Sequence, residues 1–177
     1  IYNRLMKKLR TILFAITCTL VIALTTLLPV TATDDAFDLG KNLYSTNYIF
    51  LDADTGQVLS AKKQDEQISI ASLTKMMTVL LAIENSSSLN QTVTITSEMI
   101  DGLYEEQASV AGYVNGDTAT VLDLCYAAAI PSAADAANAL AIQIGGSFEN
   151  FYQMMNDKAT QLGMDHTVFK SAHGLDR

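Results

Sequence analysis

The 177-residue sequence contains little cysteine, little histidine and few basic side chains, and each shortage argues against a class of protein. Two cysteines and two histidines are too few for a disulfide framework and form a poor ligand set for zinc. The 11 basic side chains are outnumbered by 19 acidic ones, which disfavours a nucleic-acid partner, because phosphate binding needs basic clusters. No repeat period is present, and the apolar share of 49% is that of a globular protein.

The charge is divided unevenly along the chain. Residues 1–32 carry four basic side chains and no acidic one, whereas residues 33–177 carry 7 basic and 19 acidic ones, a net charge of −12. The basic start is followed by residues 11–28, which are apolar except for five threonines, and then by a Val-Thr-Ala exit. A basic start, an apolar run and a small-residue exit are the three parts of a secretory signal.

We therefore predict a signal peptide over residues 1–32 and an exported segment over residues 33–177. Residues 1–5 are interpreted as an upstream addition, because Met6 followed by two lysines is typical of a natural start. A membrane anchor is the alternative, since eighteen largely apolar residues approach the length that spans a bilayer. The threonines and the small-residue exit favour cleavage. The exported segment holds one cysteine, Cys125, which predicts a small core residue and no internal disulfide.

Strand-forming residues come first in the exported segment, and helical patterns follow. A β-hairpin is predicted over residues 48–51 and 58–61, because turn residues separate two short apolar runs. Apolar residues at helical spacing predict an amphipathic helix over residues 72–84 (Leu73, Met76, Met77, Leu80 and Ile83). The other predicted elements are a strand at 93–96, a helical turn at 98–104 and three helices, with a loop at 164–177. The helices are predicted at 121–129, from 132 or 133 to 144, and at 148–162. This order indicates an α+β fold rather than alternating βα units.

The spacing Ser-x-x-Lys occurs twice, and geometry distinguishes the two copies. Ser60 and Lys63 lie at the end of the hairpin's second strand, where an offset of three places side chains on opposite faces. Ser72 and Lys75 lie at the start of the amphipathic helix, where the same offset places them on one face, one turn apart. The second pair is therefore the candidate for chemistry.

A serine one turn away from a lysine suits nucleophilic catalysis. The hydroxyl becomes reactive when a neighbouring base accepts its proton, and Lys75 can be that base if burial lowers its pKa. Free backbone N–H groups at a helix start also favour negative charge there. The alternative interpretation is that Ser72 caps the helix while Lys75 is solvated, and the motif alone leaves both open.

Four blocks of sequence between residues 42 and 176 share their order with one known family. They are the run 49–59, the block Ala-Ser-Leu-Thr-Lys-Met-Met-Thr at 71–78, Gly116-Asp117 with 122–137, and Thr167-Val168-Phe169 with His173-Gly174-Leu175. Together they resemble the serine D-alanyl-D-alanine carboxypeptidases, the low-molecular-weight penicillin-binding proteins. The resemblance implies an α+β fold of the β-lactamase/DD-peptidase kind, in which an antiparallel sheet accompanies a helix-rich subdomain.

The resemblance also implies roles for individual residues. Ser72 would be the acylated nucleophile, Lys75 its general base, and Ser132 the second motif's serine, which relays a proton to the leaving D-alanine. The asparagine of that second motif is replaced by Ala134, which should weaken the hold on the substrate's peptide carbonyl. Ser132 is also predicted to begin a helix, with Asp135 reaching back to complete a capping box.

The family's third motif, Lys-Thr-Gly, does not occur in this sequence. In the family it lies on a later strand, so we expect the chain to be C-terminally truncated, its sheet incomplete and these 177 residues inactive by themselves. The implied partner is a peptidoglycan stem peptide ending in D-Ala-D-Ala, with β-lactams as inhibitors, and neither a metal nor another cofactor is expected. The implied location is the extracytoplasmic face of a bacterial membrane or the cell wall, and membrane association through a later C-terminal region stays open.

Two alternative functions remain open. A β-lactamase of the related serine class would need a glutamate to activate the deacylating water, and Glu98 and Glu149 are available. A degenerate relative would bind cell-wall peptide or a partner without turnover, and Ala134 is the feature that favours this alternative. His166 and His173 are expected to be loop residues rather than members of a triad or a metal site.

Overall fold

The computed structural model describes residues 43–175, which fall into two compact units that divide between Glu66 and Gln67. The predicted signal peptide over residues 1–32 lies outside the described residues. No helix within residues 43–175 is long and apolar enough to cross a membrane.

The first unit contains the predicted hairpin. β1 (Tyr48–Leu51) pairs with β2 (Val58–Lys62) in antiparallel orientation. Asp52 closes the turn, because its carboxylate accepts hydrogen bonds from the hydroxyl and the backbone N–H of Thr55, and these bonds lower the pKa of Asp52 from its ordinary value. Gly56 follows with a φ of +71°, a conformation that glycine adopts without strain. The hairpin prediction is confirmed.

The second unit carries the predicted helices and one small sheet. In chain order it contains a 3-10 turn (Ala71–Leu73), α1 (Thr74–Asn85), β3 (Thr92–Thr94), α2 (Ser97–Ile100), β4 (Thr118–Thr120), α3 (Val121–Ala129), α4 (Ala134–Gly145) and α5 (Phe148–Gln161). β3 and β4 pair in antiparallel orientation. The four long helices are confirmed with small shifts at their ends, whereas β4 is an addition to the predicted elements.

Helix α4 is the centre of the second unit. It packs against α1, α3 and α5, and its alanines are all but completely buried (Ala134, Ala136, Ala137, Ala139 and Ala141). Small side chains let neighbouring helices approach closely, since the distance between helix axes depends on the side chains at the contact. The core therefore fixes the start of α1 and the start of α4 in one rigid arrangement, and the predicted site residues lie at these two starts.

Side-chain caps define where α3 and α5 begin. The Thr120 hydroxyl accepts from the Asp123 backbone N–H at 3.1 Å, while the Asp123 carboxylate accepts from the Thr120 N–H at 3.1 Å. This reciprocal pair is a capping box. The Ser147 hydroxyl accepts from the Asn150 N–H at 3.1 Å in the same way, so both helices start at polar residues that satisfy otherwise unpaired donors.

The predicted capping box at Ser132 is wrong. Helix α4 begins two residues later, at Ala134, and has Ala133 as its N-cap without a side-chain cap. Asp135 does not reach back to Ser132, because its buried carboxylate accepts the backbone N–H groups of residues 111–113 at 2.9 to 3.1 Å. A buried carboxylate needs several donors, and the loop supplies more of them than a helix start would.

Candidate active site

Ser72 lies in the 3-10 turn that leads into α1, with its side chain exposed. The sequence predicted an α-helical first turn, and the structure has a tighter one instead. Ala71, directly before it, has a φ of +45°, which is uncommon for a residue with a Cβ atom. Such backbone strain persists only where the surrounding structure imposes it, and it is frequent at functional sites. The turn therefore holds the Ser72 hydroxyl at the N-terminal end of α1, where negative charge is favoured.

Lys75 lies one turn further along and contacts the Ser72 hydroxyl. Its Nζ donates a hydrogen bond to the Ser72 Oγ at 3.1 Å, a separation over which a nucleophile and its base exchange a proton. Lys75 is only 5% exposed, and burial lowers its pKa from the ordinary value. The interpretation of Lys75 as a solvated side chain is therefore wrong, and its burial shifts the side chain toward the neutral amine that a general base requires.

A main-chain segment from the far end of the chain completes the surroundings of Lys75. The Nζ of Lys75 donates a second hydrogen bond to the His173 carbonyl at 2.9 Å. The Thr78 hydroxyl donates to the Ala172 carbonyl at 2.7 Å. Gly174 has a φ of +79° and lies so close to Ala71 that a Cβ atom would collide with the Ala71 carbonyl oxygen. Sequence reasoning missed this packing, although Gly174 belonged to one of the blocks that carried the resemblance.

His173 is buried and neutral at pH 7. Its Nδ1 accepts the Leu175 backbone N–H at 3.2 Å, so the proton of the neutral ring is assigned to Nε2. Burial, and secondly the charge of Lys75, lower the pKa of His173 to about 4. The residue lies in a loop, as predicted, but it is 8% exposed rather than solvated. Its side chain therefore adds no positive charge next to Lys75.

Ser132 lines the same cavity as Ser72 and Lys75, which has a volume of about 730 Å³. Its Oγ is buried and has no hydrogen-bond partner among residues 43–175, which is uncommon for a buried hydroxyl. Its φ is +61°, again a strained value for a residue with a side chain. The structure thus brings the three predicted site residues together on one cavity, and strain marks the backbone at Ser132 and next to Ser72.

The rest of this cavity wall is apolar. Helix α1 contributes Met76, Val79, Leu80 and Ile83, which recur at helical spacing along one stripe. Met76 is 71% exposed, although its side chain is apolar. A group that enters this cavity therefore meets a hydrophobic wall beside the hydroxyls, and exclusion of water there would strengthen hydrogen bonds at the reacting centre.

The structure also shows the surroundings of Ala134, which stands where the family's second motif has asparagine. Ala134 is buried, its N–H donates to the Ser109 carbonyl at 2.7 Å, and it is not among the residues that line the cavity of Ser72. Asn138, one turn further along α4, donates to the Met99 carbonyl at 3.1 Å and lines a different cavity of about 920 Å³. Asn138 therefore does not replace the amide that the second motif has in the resembled family.

The other Ser-x-x-Lys pair does not form a site. The Ser60 Oγ lies 3.4 Å from the Tyr48 hydroxyl, whereas the Lys63 Nζ forms an ion pair with Glu66 at 3.1 Å. Each side chain has its own separate partner, as predicted, although β2 ends at Lys62 and Lys63 leaves the strand with a φ of +51°.

The remaining candidate residues lie away from Ser72. Glu98 lines the 920 Å³ cavity, Glu149 is an exposed residue in the first turn of α5, and neither lines the cavity of Ser72. Cys125 is buried in the core, as predicted, and burial raises the pKa of its thiol, which disfavours the reactive thiolate. Among residues 43–175, no group of three or more His, Cys, Asp or Glu side chains is placed to hold a metal ion.

Comparisons with known proteins identify a family that this chain matches. A family model described as D-alanyl-D-alanine carboxypeptidase matches residues 31–177. The chain is 37% identical over 131 residues to the D-alanyl-D-alanine carboxypeptidase DacF of Bacillus subtilis and 35% identical over 128 residues to the D-alanyl-D-alanine carboxypeptidase of Streptomyces sp. K15. These matches cover 72% and 68% of this chain but 33% and 44% of the relatives, so the chain spans less than half the length of either.

Solved structures match the fold as well. The crystal structure of the Streptomyces K15 DD-transpeptidase aligns with a TM-score of 0.69 and 31% identity, over 84% of this chain and 55% of that one. The crystal structure of penicillin binding protein 6B from Escherichia coli aligns with a TM-score of 0.68 and 32% identity, over 73% of this chain and 43% of that one. The predicted α+β fold of the β-lactamase/DD-peptidase kind is confirmed.

Proposed function

Since the chain belongs to the D-alanyl-D-alanine carboxypeptidase family, we propose that it acts in an exported serine peptidase that removes the terminal D-alanine from peptidoglycan stem peptides. The observation that carries this proposal is the 3.1 Å contact between the buried Lys75 Nζ and the Ser72 Oγ. It supplies a nucleophile and a base, and the family supplies the substrate class.

Acylation begins when the Ser72 Oγ attacks the carbonyl carbon between the two D-alanines. The neutral Lys75 amine accepts the hydroxyl proton as the new C–O bond forms. When the C–N bond breaks, Ser132 gives its hydroxyl proton to the departing D-alanine nitrogen and takes the proton that Lys75 holds. Water then hydrolyses the ester, which releases the shortened peptide and restores the Ser72 hydroxyl. A β-lactam carries a comparable amide and would acylate Ser72 in the same way.

The alanine at position 134, where the family has asparagine, should affect substrate binding rather than the acylation step. The nucleophile, the base and Ser132 all line one cavity, and Ala134 lies outside it, buried in the core. We therefore expect the enzyme to hold its substrate's peptide carbonyl weakly. The expected kinetic consequence is a high KM.

Export is the part of the proposal that depends on residues 1–32. Their basic start, apolar run and small-residue exit support a secretory signal. Fusion of these residues to an alkaline phosphatase that lacks its own signal tests this, because that enzyme is active only after export. Phosphatase activity at the cell surface is expected, and its absence would remove export from the proposal.

A fluorescent penicillin tests the enzymatic part. The protein used is the 177-residue chain, in parallel with the same chain extended by any further coding sequence of its gene. Covalent labelling is expected in the longer protein and lost in Ser72→Ala, whereas the 177-residue chain, which holds no Lys-Thr-Gly motif, is expected to label poorly. The matched control is Ser60→Ala, which removes the serine of the other Ser-x-x-Lys pair and should label normally. Labelling that survives Ser72→Ala would refute Ser72 as the nucleophile.

The same experiment decides between the proposal and its alternatives. Label that is bound and released within seconds would favour a β-lactamase, although neither Glu98 nor Glu149 lines the cavity of Ser72. A complete lack of labelling in both lengths of the protein would favour a relative that binds cell-wall peptide without turnover. Ala134 is the one observation that points to this second candidate.

A further inference from the structure

Thr78 makes an unusual hydrogen bond for a threonine in a helix. A helical threonine commonly donates to the carbonyl four residues earlier in its own helix. The Thr78 hydroxyl instead donates at 2.7 Å to the carbonyl of Ala172, which is 94 residues away in the sequence. Thr78 is completely buried, so this hydroxyl serves the contact between α1 and a distant main-chain segment.

That segment is the one that also binds Lys75. The residue after Ala172 is His173, whose carbonyl accepts the second hydrogen bond of the Lys75 Nζ at 2.9 Å. The next residue, Gly174, packs against the Ala71 carbonyl, where no side chain would fit. Thr78 and Gly174 therefore hold the segment at its two ends, and the carbonyl that orients Lys75 lies between them.

We propose that Thr78 is a positioning residue for the Lys75 general base, acting through the main chain of residues 172–174. Its hydroxyl fixes the Ala172 carbonyl, and this fixes the next carbonyl, of His173, at hydrogen-bonding distance from the Lys75 Nζ. With one proton donated to His173, the amine is held with a second proton or its lone pair directed at the Ser72 Oγ, 3.1 Å away. The proposal rests on the proposed function, since it assumes that Ser72 is acylated.

The arrangement predicts a specific kinetic effect. Loss of the Thr78 hydroxyl would let the segment shift relative to α1, and Lys75 would lose its fixed direction toward Ser72. A displacement of a reacting group by about 1 Å can lower the reaction rate 100-fold. Thr78 does not line the cavity of Ser72, so the binding of a β-lactam before acylation should be unaffected.

The test compares Thr78→Val with Thr78→Ser in whichever length of the protein labels with penicillin. Thr78→Val keeps the volume and removes the hydroxyl, whereas Thr78→Ser keeps the hydroxyl and removes the methyl group. We expect Thr78→Val to lower the limiting acylation rate at least about tenfold at unchanged half-saturating penicillin concentration, and Thr78→Ser to retain most of the native rate. Thr160→Val is the control, because that hydroxyl bonds to a carbonyl of its own helix α5 at 3.1 Å.

Two outcomes would overturn the proposal. One is a native acylation rate in Thr78→Val, and the other is an equal loss in Thr78→Ser, which would indicate that only packing of the methyl group matters. If Thr78→Val fails to fold, Thr78→Ala replaces it, and its acylation rate is again compared with that of Thr78→Ser.

A second readout does not depend on acylation. Backbone amide hydrogen exchange in residues 173–175 should accelerate in Thr78→Val and stay near native in Thr78→Ser. If the native protein takes no penicillin, the proposed function fails while this exchange still decides whether Thr78 holds the segment. Unchanged exchange in Thr78→Val would refute the proposal that the Thr78 hydroxyl holds residues 172–174 in place.

Discussion

Acid should weaken this protein through His173. The pKa of His173 is about 4 in the folded protein, against an ordinary value of 6.5, and this difference corresponds to about 3 kcal/mol. Because the unfolded chain binds the proton more tightly, the free energy of unfolding is unaffected above pH 6.5. It falls as the pH drops from 6.5 to about 4, and below that the loss is complete. For a domain stable by roughly 5–15 kcal/mol, this is a large share.

The structure gives two causes for that loss. Protonation of Nδ1 removes the acceptor of the Leu175 N–H, and it places a buried positive charge near Lys75. Both effects disappear in His173→Asn, because the amide oxygen of asparagine can accept the same N–H and does not titrate. His166 offers a control in the same stretch of chain, since its side chain is exposed.

The assay is urea unfolding at a series of pH values between 4 and 7. The native protein and His166→Gln should both lose about 3 kcal/mol across this window, relative to His173→Asn. If His173→Asn loses stability as steeply as the native protein, another group causes the loss and the burial of His173 does not.

Four further substitutions test the packing around the site and the cap of α3 by thermal or urea unfolding. Gly174→Ala should destabilise the fold, because the new Cβ would collide with the Ala71 carbonyl and a positive φ strains a side-chain residue by about 1–3 kcal/mol; a native melting temperature would contradict this. Asp135→Ala should be the most damaging single change, since it removes the buried carboxylate that accepts three loop N–H groups, and hydrogen bonds contribute about 0.5–1.5 kcal/mol each; a loss below about 1 kcal/mol would refute it. Thr120→Ala should remove about 1 kcal/mol, and Asp123→Ala added to it should cost little more if the two residues form one capping box.

Local patterns in the sequence were sufficient for the long helices and the hairpin. Apolar spacing places α1, but three residues of that pattern, Leu73, Met76 and Ile83, are exposed, and the buried side chains include Met77 and Leu81. Asp52 and Gly56 carry the turn chemistry of the hairpin. The offset of three between Ser72 and Lys75 predicts their contact, because on a helix that offset places them one turn apart.

Contacts between distant parts of the chain could not be predicted in the same way. Lys75 and His173 are 98 residues apart, and the accepting atom is a main-chain carbonyl, which has no side-chain signature. Asp135 has the local spacing of a capping residue, yet its carboxylate accepts hydrogen bonds from the N–H groups of the loop at 111–113 instead. The left-handed backbone of Ser132 is likewise a product of the surrounding fold, since nothing in its own residue type favours it.

Burial of Lys75 favours its proposed role as a general base but lowers the stability of the fold. Its pKa in the folded protein lies below the ordinary 10.5, so at neutral pH the unfolded chain binds the proton more tightly. Burial of Lys75 therefore lowers the free energy of unfolding, and this penalty disappears as the pH rises to about 10.5. Lys75→Met keeps an unbranched apolar side chain without the charge, and replacement of buried charged groups by apolar ones is often stabilising.

We therefore expect Lys75→Met to abolish penicillin acylation and to raise the melting temperature at pH 7, with a gain that shrinks as the pH approaches 10.5. Lys158→Met is the control, because that lysine forms a partly exposed ion pair with Glu84 at 2.7 Å, and such pairs contribute about 0–1 kcal/mol. A lower melting temperature in Lys75→Met would mean that the hydrogen bonds to Ser72 and His173 outweigh desolvation. In that case Lys75 would stabilise the fold, and the trade between stability and reactivity inferred for this site would not exist.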